Sequence, residues 1–141
     1  MNFYFAYGSN MWAKQMHDRC PDHRLVGNGV LNGYLWIISS RGYANVVKSS
    51  PDVVFGVVYE ISDSDERNLD CYEGVSTGSY RKELLSVKVD GSRITCLVYV
   101  DPVQDEGLPK PEYTRRINKG IQDAKLPEEY VRSSIRSFIP E

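Results

Sequence analysis

The feature that most constrains this chain is an aromatic segment that runs into a glycine turn within the first ten residues, M-N-F-Y-F-A-Y-G-S-N. Aromatic residues at positions 3–5 have strong strand preference and predict a buried first strand. Gly8 supplies backbone freedom for a tight turn, and Ser9 or Asn10 can cap a helix that extends to about Asp18. Such a junction aims several backbone N–H groups at one point. It is therefore either a carboxylate- or oxyanion-binding turn or an ordinary strand-to-helix turn.

Composition narrows the class of protein. The 141 residues fit a single domain over residues 1–141, with 41% hydrophobic and 26% charged residues. The net charge is −2, with acids and bases interspersed, so we expect no broad nucleic-acid-binding face. No apolar run is long enough to span a membrane and no leader opens the chain, which predicts a cytoplasmic protein without a membrane partner. A symmetric homodimer is the default expectation for assembly.

The cysteines and histidines predict no disulfide and no metal site. Three cysteines stand far apart and read as reduced thiols: Cys20, Cys71 and Cys96. His17, Cys20 and His23 are spaced by three, but Pro21 breaks the helix between them. No second ligand cluster follows, whereas structural zinc normally has four ligands. A polar helix end is therefore the better interpretation of this cluster.

The first half of the chain predicts a curved sheet. Arg24–Ser40 contains several glycines, which favour bends or bulges, and an apolar run over Leu35–Ile38 that is typical of a buried strand. Arg41–Val47 is predicted as a turn followed by a short strand, and Ser49–Asp52 as a loop. Val53–Ile61 is the clearest strand of the chain, and the glycine within it predicts a close approach of another backbone or of a ligand.

A short acidic helix is predicted to follow this strand. Ser62 is a candidate N-cap, and acidic residues fill the first turn. The spacing predicts that Leu69 and Tyr72 face inward, and Glu73-Gly74 should end the helix.

The second half predicts a hairpin and two terminal helices. Asp90-Gly91 lies between the strands Tyr80–Val89 and Arg93–Val100, which is a strong hairpin signal. Helices are predicted over Pro111–Ala124 and Pro127–Phe138, each with proline near its first turn. Strands that cluster early and helices that dominate the tail indicate an α+β domain with a small barrel-like sheet.

Glu73 is the acidic residue with the most suggestive position. It lies at a helix end, beside Gly74 and a loop, where apolar neighbours and the negative end of a helix raise the pKa of a carboxyl group. Such a group can act as a general acid or base near neutral pH. The alternative is a solvent-exposed terminal glutamate. Cys71 is a weaker candidate for a nucleophile, because it lies within the predicted helix.

Several segments, in the same order, resemble the γ-glutamylcyclotransferase family through nearly the whole chain. They are F-A-Y-G-S-N, V-F-G-V-V-Y-E, L-D-x-x-E-G-V, Gly78-Ser79-Tyr80, Ile94-Thr95-Cys96, Pro111-Glu112-Tyr113 and G-I-Q-D-A-K-L-P-E-E-Y over Gly120 to Tyr130. The resemblance implies a small β-barrel with flanking helices. It also implies the conversion of a small γ-glutamyl substrate to 5-oxoproline and a free amino acid, as in glutathione metabolism, without a metal or organic cofactor.

The resemblance also assigns roles to individual residues. Glu73 would be the catalytic acid/base. Substrate binding would fall to Tyr4, Phe5, Ala6, Tyr7, Gly8, Ser9, Asn10, Tyr80 and Tyr113. In this reaction the substrate's own α-amine attacks its γ-carbonyl, so the protein supplies a proton carrier and oxyanion donors and no nucleophile.

The segment between Ser39 and Asp52 is short beside that of the longer family members, and we expect it to border the pocket, which leaves the identity of the released group open. Related branches act on γ-glutamylamines, on glutathione or in antibiotic biosynthesis. Two other functions stay open at this point. A non-catalytic binding or regulatory module would have Glu73 in solvent or paired with an arginine, and a Cys71-dependent hydrolase would lose activity on thiol alkylation.

Overall fold

Five β-strands close into a small barrel around an apolar core in the computed structural model, which describes residues 1–141. The strands are β1 (Asn2–Ala6), β2 (Arg24–Ile38), β3 (Ala44–Ile61), β4 (Arg81–Val89) and β5 (Ser92–Val100). Their order around the barrel is β1-β3-β2-β4-β5. β1 runs antiparallel to β3 and parallel to β5, so the barrel is mixed.

Helices flank the barrel. They are α1 (Ala13–Arg19), α2 (Asp63–Tyr72), α3 (Pro111–Ala124) and α4 (Glu128–Tyr130), with 3₁₀ turns at Ser9–Met11 and Val75–Thr77 and a π-helical turn at Val131–Ile135. The α+β class and the small mixed barrel with flanking helices are confirmed. No helix is both long enough and apolar enough to cross a membrane.

β1 and β3 pack tightly at the end of their antiparallel ladder. A Cβ atom at Gly56 would lie 2.4 Å from the carbonyl oxygen of Ala6 and 2.9 Å from the ring of Phe5. Any side chain here would push the two strands apart, because interiors of this kind are close-packed. The close approach predicted at this glycine is confirmed.

The predicted loop at Ser49–Asp52 is wrong, because β3 continues through it from Ala44 to Ile61. Pairing with β2 shifts register here, since Asn32 faces Val53 whereas Tyr34 faces Lys48. The four residues Ser49–Asp52, three of them polar, therefore bulge opposite Gly33. Their composition resembles a loop, but the strand pairs on both sides carry the ladder past the bulge.

The N-terminus of α2 follows the sequence. Ser62 forms a capping box, in which its hydroxyl accepts a hydrogen bond from the backbone N–H of Asp65 at 3.0 Å. The predicted inward orientation is correct for Leu69 and wrong for Tyr72, which is 59% exposed. The helix ends at Tyr72, and its ring lies against the guanidinium of Arg19, 4.3 Å from ring centroid to Cζ, so the barrel core does not cover it.

The first predicted helix is divided into two pieces. The 3₁₀ turn Ser9–Met11 stops at Trp12, which has extended backbone angles, and α1 starts at Ala13. Ser9 does not cap a helix, because its hydroxyl accepts a hydrogen bond from the side chain of Gln15 at 2.7 Å. Asn10 does not cap one either. The side chains of Ser9 and Asn10 instead form hydrogen bonds that connect the 3₁₀ turn to α1 and to β1.

The β4–β5 hairpin and α3 lie where they were predicted. Asp90 and Gly91 both have positive φ angles, 49° and 81°, as a two-residue hairpin turn requires. The predicted last helix is shorter and less regular, because α4 ends at Tyr130 and a wider turn follows over Val131–Ile135.

Candidate active site

A cavity of about 350 Å³ opens beside the 3₁₀ turn that follows β1. Nine of the predicted site residues line it: Tyr4, Phe5, Tyr7, Gly8, Ser9, Asn10, Glu73, Tyr80 and Tyr113. Ala6 does not. Ala6 is 1% exposed, and its methyl group is buried in the core where β1 packs closely against Gly56 of β3. Segments from both ends and the middle of the chain thus meet at one cavity.

Glu73 provides the only carboxylate in the wall of this cavity. It is the C-cap residue of α2, and Gly74 turns the chain away with a φ of 63°. Burial raises the pKa of Glu73 from 4.5 to about 7, while the positive charge of Arg19 lowers it in part. The residue is half-buried, since the cavity is open on one side. A carboxyl group in this condition can take up and release a proton near neutral pH.

Position 8 requires a glycine because atoms of other residues lie close to its backbone, and not because its φ angle is unusual. Its φ is −122°, a value open to other residues. A Cβ atom there would lie 3.0 Å from the hydroxyl of Tyr113 and 3.2 Å from the Cβ of Ala44. The glycine therefore lets α3 bring Tyr113 against the turn after β1.

Tyr113 holds its hydroxyl at this turn as a hydrogen-bond acceptor. The backbone N–H of Ala44 donates to it at 3.3 Å. Burial raises the pKa of Tyr113 to about 12, with hydrogen bonds from the backbone of Ala44 and Ser9 acting in the opposite direction. The phenol is thus neutral at physiological pH, and its own proton remains available to a ligand.

Other tyrosines form a rigid wall. Tyr80 donates its hydroxyl to the carbonyl oxygen of Ala44 at 2.9 Å, and Tyr7 donates to that of Tyr99 at 2.6 Å. Burial raises the pKa of each of these two phenols above its ordinary value. Each ring is thus fixed at its polar end by the backbone and packed at its apolar body.

Similarity to known proteins agrees with this geometry. Residues 53–133 match the model of the AIG2-like family. The chain is 33% identical to a gamma-glutamylcyclotransferase of Mus musculus, over 90% of this chain and 73% of that protein. This chain belongs to the gamma-glutamylcyclotransferase family. The relative from Homo sapiens, of the same name, is 31% identical with the same coverage. A solved structure described as a gamma-glutamyl cyclotransferase has a TM-score of 0.86 at 28% identity, covering 94% of this chain and 87% of that one.

Membership in the gamma-glutamylcyclotransferase family confirms the resemblance carried by the sequence segments. The roles of individual residues stay predictions, although the cavity brings Glu73, Tyr80 and Tyr113 together with the turn.

Three arginines in the cavity wall were missed: Arg19, Arg41 and Arg116. Two of the three guanidinium nitrogens of Arg116 donate to the carboxylate of Glu112, at 2.9 and 2.8 Å. Arg19 donates one hydrogen bond to the side chain of Asn10 at 3.3 Å. No local pattern distinguishes these arginines from surface ones, so only the fold reveals that they share the cavity.

The cysteines lie outside the cavity lining. Cys71 is exposed, whereas Cys20 and Cys96 are buried, and burial raises the pKa of these two thiols to about 12 and about 11. No thiol is placed to attack a ligand in the cavity. No group of three or more histidine, cysteine, aspartate or glutamate side chains is arranged to hold a metal ion.

Proposed function

We propose that this chain is a cofactor-independent gamma-glutamylcyclotransferase, an enzyme that converts a γ-glutamyl amino acid or γ-glutamylamine to 5-oxoproline and the free amine. The observation that carries the proposal is Glu73, the single carboxylate of a cavity that also contains the Tyr7–Asn10 turn. The names of the relatives support it.

In the proposed reaction Glu73 carries a proton from one nitrogen to another. Its carboxylate accepts a proton from the substrate's α-ammonium group, and the resulting amine attacks the γ-carbonyl carbon. A new C–N bond closes the five-membered ring. The bond from that carbon to the leaving nitrogen then breaks as the carboxyl group returns the proton to it. A pKa of about 7 suits a group that must act in both directions.

The oxyanion that forms on the γ-carbonyl needs donors. The backbone N–H of Gly8 and the free proton of Tyr113 are proposed to provide them, because both residues face the cavity. Tyr113 can donate to this oxygen while it accepts from Ala44.

Folding the flexible glutamyl chain into a ring-closing conformation supplies much of the remaining acceleration. The fixed rings of Tyr7 and Tyr80 make a wall that restricts the chain without having to move. A non-catalytic binding module is less well supported, because Glu73 faces the cavity and forms no ion pair within 4.0 Å. A cytoplasmic location, a homodimer and the absence of a nucleic-acid partner stay predictions.

The test is 5-oxoproline release from γ-glutamyl-alanine, γ-glutamyl-ε-lysine and glutathione. We expect turnover of at least one substrate, with kcat/KM rising with pH through about 7 as Glu73 loses its proton. Glu73→Gln should lose at least about a hundredfold in kcat. Glu129→Gln, a change of an exposed carboxylate outside the cavity, is the control. Turnover that survives Glu73→Gln would refute the mechanism, and no turnover of any substrate by folded protein would refute the activity.

A further inference from the structure

We propose that Arg41, positioned by the buried Asp101, binds a carboxylate on the group that the substrate releases, so that the site prefers γ-glutamyl amino acids to γ-glutamylamines. The inference rests on the proposed function and specifies which acceptor group the substrate carries.

Asp101 is a buried residue whose carboxylate has several partners. It has 0% exposure, and one carboxylate oxygen lies 3.3 Å from Nε of Arg41 and accepts a hydrogen bond from the hydroxyl of Ser39 at 3.2 Å. The other oxygen accepts from the backbone N–H of Val103 at 2.8 Å. A carboxylate removed from water this completely needs such partners, and Arg41 is its one cationic partner.

The side chain of Asn45 holds the backbone around Asp101 in place by hydrogen bonds. Its side-chain oxygen accepts from the N–H of Asp101 at 2.9 Å, and its amide nitrogen donates to the carbonyl oxygens of Asp101 and Val103, both at 3.0 Å. Asn45 is itself fully buried. The carboxylate therefore has a set position relative to the start of β3.

Arg41 connects this buried network to the cavity. It lies in the turn between β2 and β3, its side chain is 34% exposed, and its guanidinium lies 5.7 Å from the ring centroid of Tyr80. The Nε side faces Asp101, while the terminal nitrogens donate no hydrogen bond to another residue. Arg116, by contrast, has two of its three guanidinium nitrogens engaged by Glu112. Arg41 thus presents oriented, unused donors to whatever enters the cavity.

The other two arginines of the cavity wall have other partners. Burial raises the pKa of Glu73 and the charge of Arg19 lowers it in part, and Arg116 lies beside Glu112. In the proposed reaction both the α-amino nitrogen and the leaving nitrogen lie within reach of Glu73, so only the substituent on the leaving nitrogen extends beyond it. Arg41, on the β2–β3 turn, is the cation that remains for this substituent.

A released amino acid carries a carboxylate that a guanidinium fork matches, whereas a released amine carries none. A site with a half-buried donor rejects a substrate that leaves that donor without a partner. We therefore expect a preference of about tenfold or more in kcat/KM for γ-glutamyl-alanine over its C-terminal carboxamide, which differs from it only in this charge.

The experiment compares these two substrates on wild type, Arg41→Gln and Asp101→Asn. Arg41→Gln should lower kcat/KM for γ-glutamyl-alanine to the level of the carboxamide and leave the carboxamide unchanged. Asp101→Asn should raise KM for γ-glutamyl-alanine with little change in kcat, because it only loosens the guanidinium. Arg24→Gln removes an exposed arginine from the outside of the barrel and is the control.

Two additions keep the test decisive. The double variant Arg41→Gln/Asp101→Asn removes both charges, so that the fold no longer contains a buried carboxylate without its cation. Calorimetric binding of both compounds to Glu73→Gln, with and without Arg41→Gln, measures the preference even if no 5-oxoproline forms. A preference that Arg41→Gln abolishes supports the inference. Equal handling of both compounds by wild type, or an equal loss for both in Arg41→Gln, overturns it.

Discussion

The raised pKa of Glu73 predicts that this residue destabilises the folded protein at neutral and alkaline pH. Its pKa is about 7 in the folded state and 4.5 ordinarily. The folded state therefore holds the proton more tightly than the unfolded state. The stabilisation that this proton contributes is complete below pH 4.5 and is lost as the pH rises through about 7. Glu73→Gln cannot ionise, so it should be more stable than wild type at pH 8.

The size of this effect follows from the same two values. The difference between 4.5 and about 7 corresponds to about 3 kcal/mol of unfolding free energy. Glu73 is half-buried and faces an open cavity, and solvent screening should reduce this to about 1–2 kcal/mol. For a chain of 141 residues, that corresponds to a rise in Tm of about 3–7 °C.

Urea unfolding followed by far-UV circular dichroism at pH 5, 6, 7 and 8 measures the effect. The free energy of unfolding of Glu73→Gln minus that of wild type should grow by about 1–2 kcal/mol between pH 5 and pH 8. Glu129→Gln, a substitution of an exposed carboxylate, should show no such growth. A difference between Glu73→Gln and wild type that is constant across this range would refute the argument that burial raises the pKa.

Three further substitutions test the site and the barrel. Gly8→Ala places a methyl group 3.0 Å from the hydroxyl of Tyr113. We expect kcat/KM to fall about tenfold to a hundredfold with little change in Tm. An unchanged kcat/KM would show that Tyr113 is not held against the turn. Gly56→Ala places a methyl group 2.4 Å from the carbonyl oxygen of Ala6 and should lower the free energy of unfolding, measured in urea, by about 3 kcal/mol. A decrease below about 1 kcal/mol would mean that β1 and β3 can move apart to accommodate the methyl group. Cys71→Ala should retain 5-oxoproline release, because the thiol is exposed outside the cavity lining, and a loss of turnover would revive the thiol hydrolase.

Features that depend on neighbouring residues could be predicted from the sequence. The hairpin turn at Asp90-Gly91 and the cap at Ser62 are both present, because a few adjacent residues determine each of them. The closed barrel and its site came with the family resemblance. Glu73 alone, at a helix end, could equally have been a solvent-exposed glutamate.

Features that depend on distant partners could not be predicted. Arg41 and Asp101 carry no local signal, and only closure of the barrel brings them within 3.3 Å. The polar bulge Ser49–Asp52 resembles a loop in isolation and is part of a strand because both of its flanks pair with β2. Tyr72 has the spacing of a core residue, but its helix ends before the barrel covers it.

The position of β1 in the barrel has a consequence for how the protein is made. β1 precedes the other four strands along the chain, yet Tyr4 pairs with both Tyr59 and Leu97. At about 5–20 residues per second, Leu97 follows Tyr4 by roughly 5–20 s. During that interval the strand exposes apolar side chains and unpaired backbone groups, which chaperones can bind. β1 and the turn after it are thus synthesised before Glu73, Tyr80 and Tyr113, and they reach their positions in the cavity wall only once β5 is available for pairing.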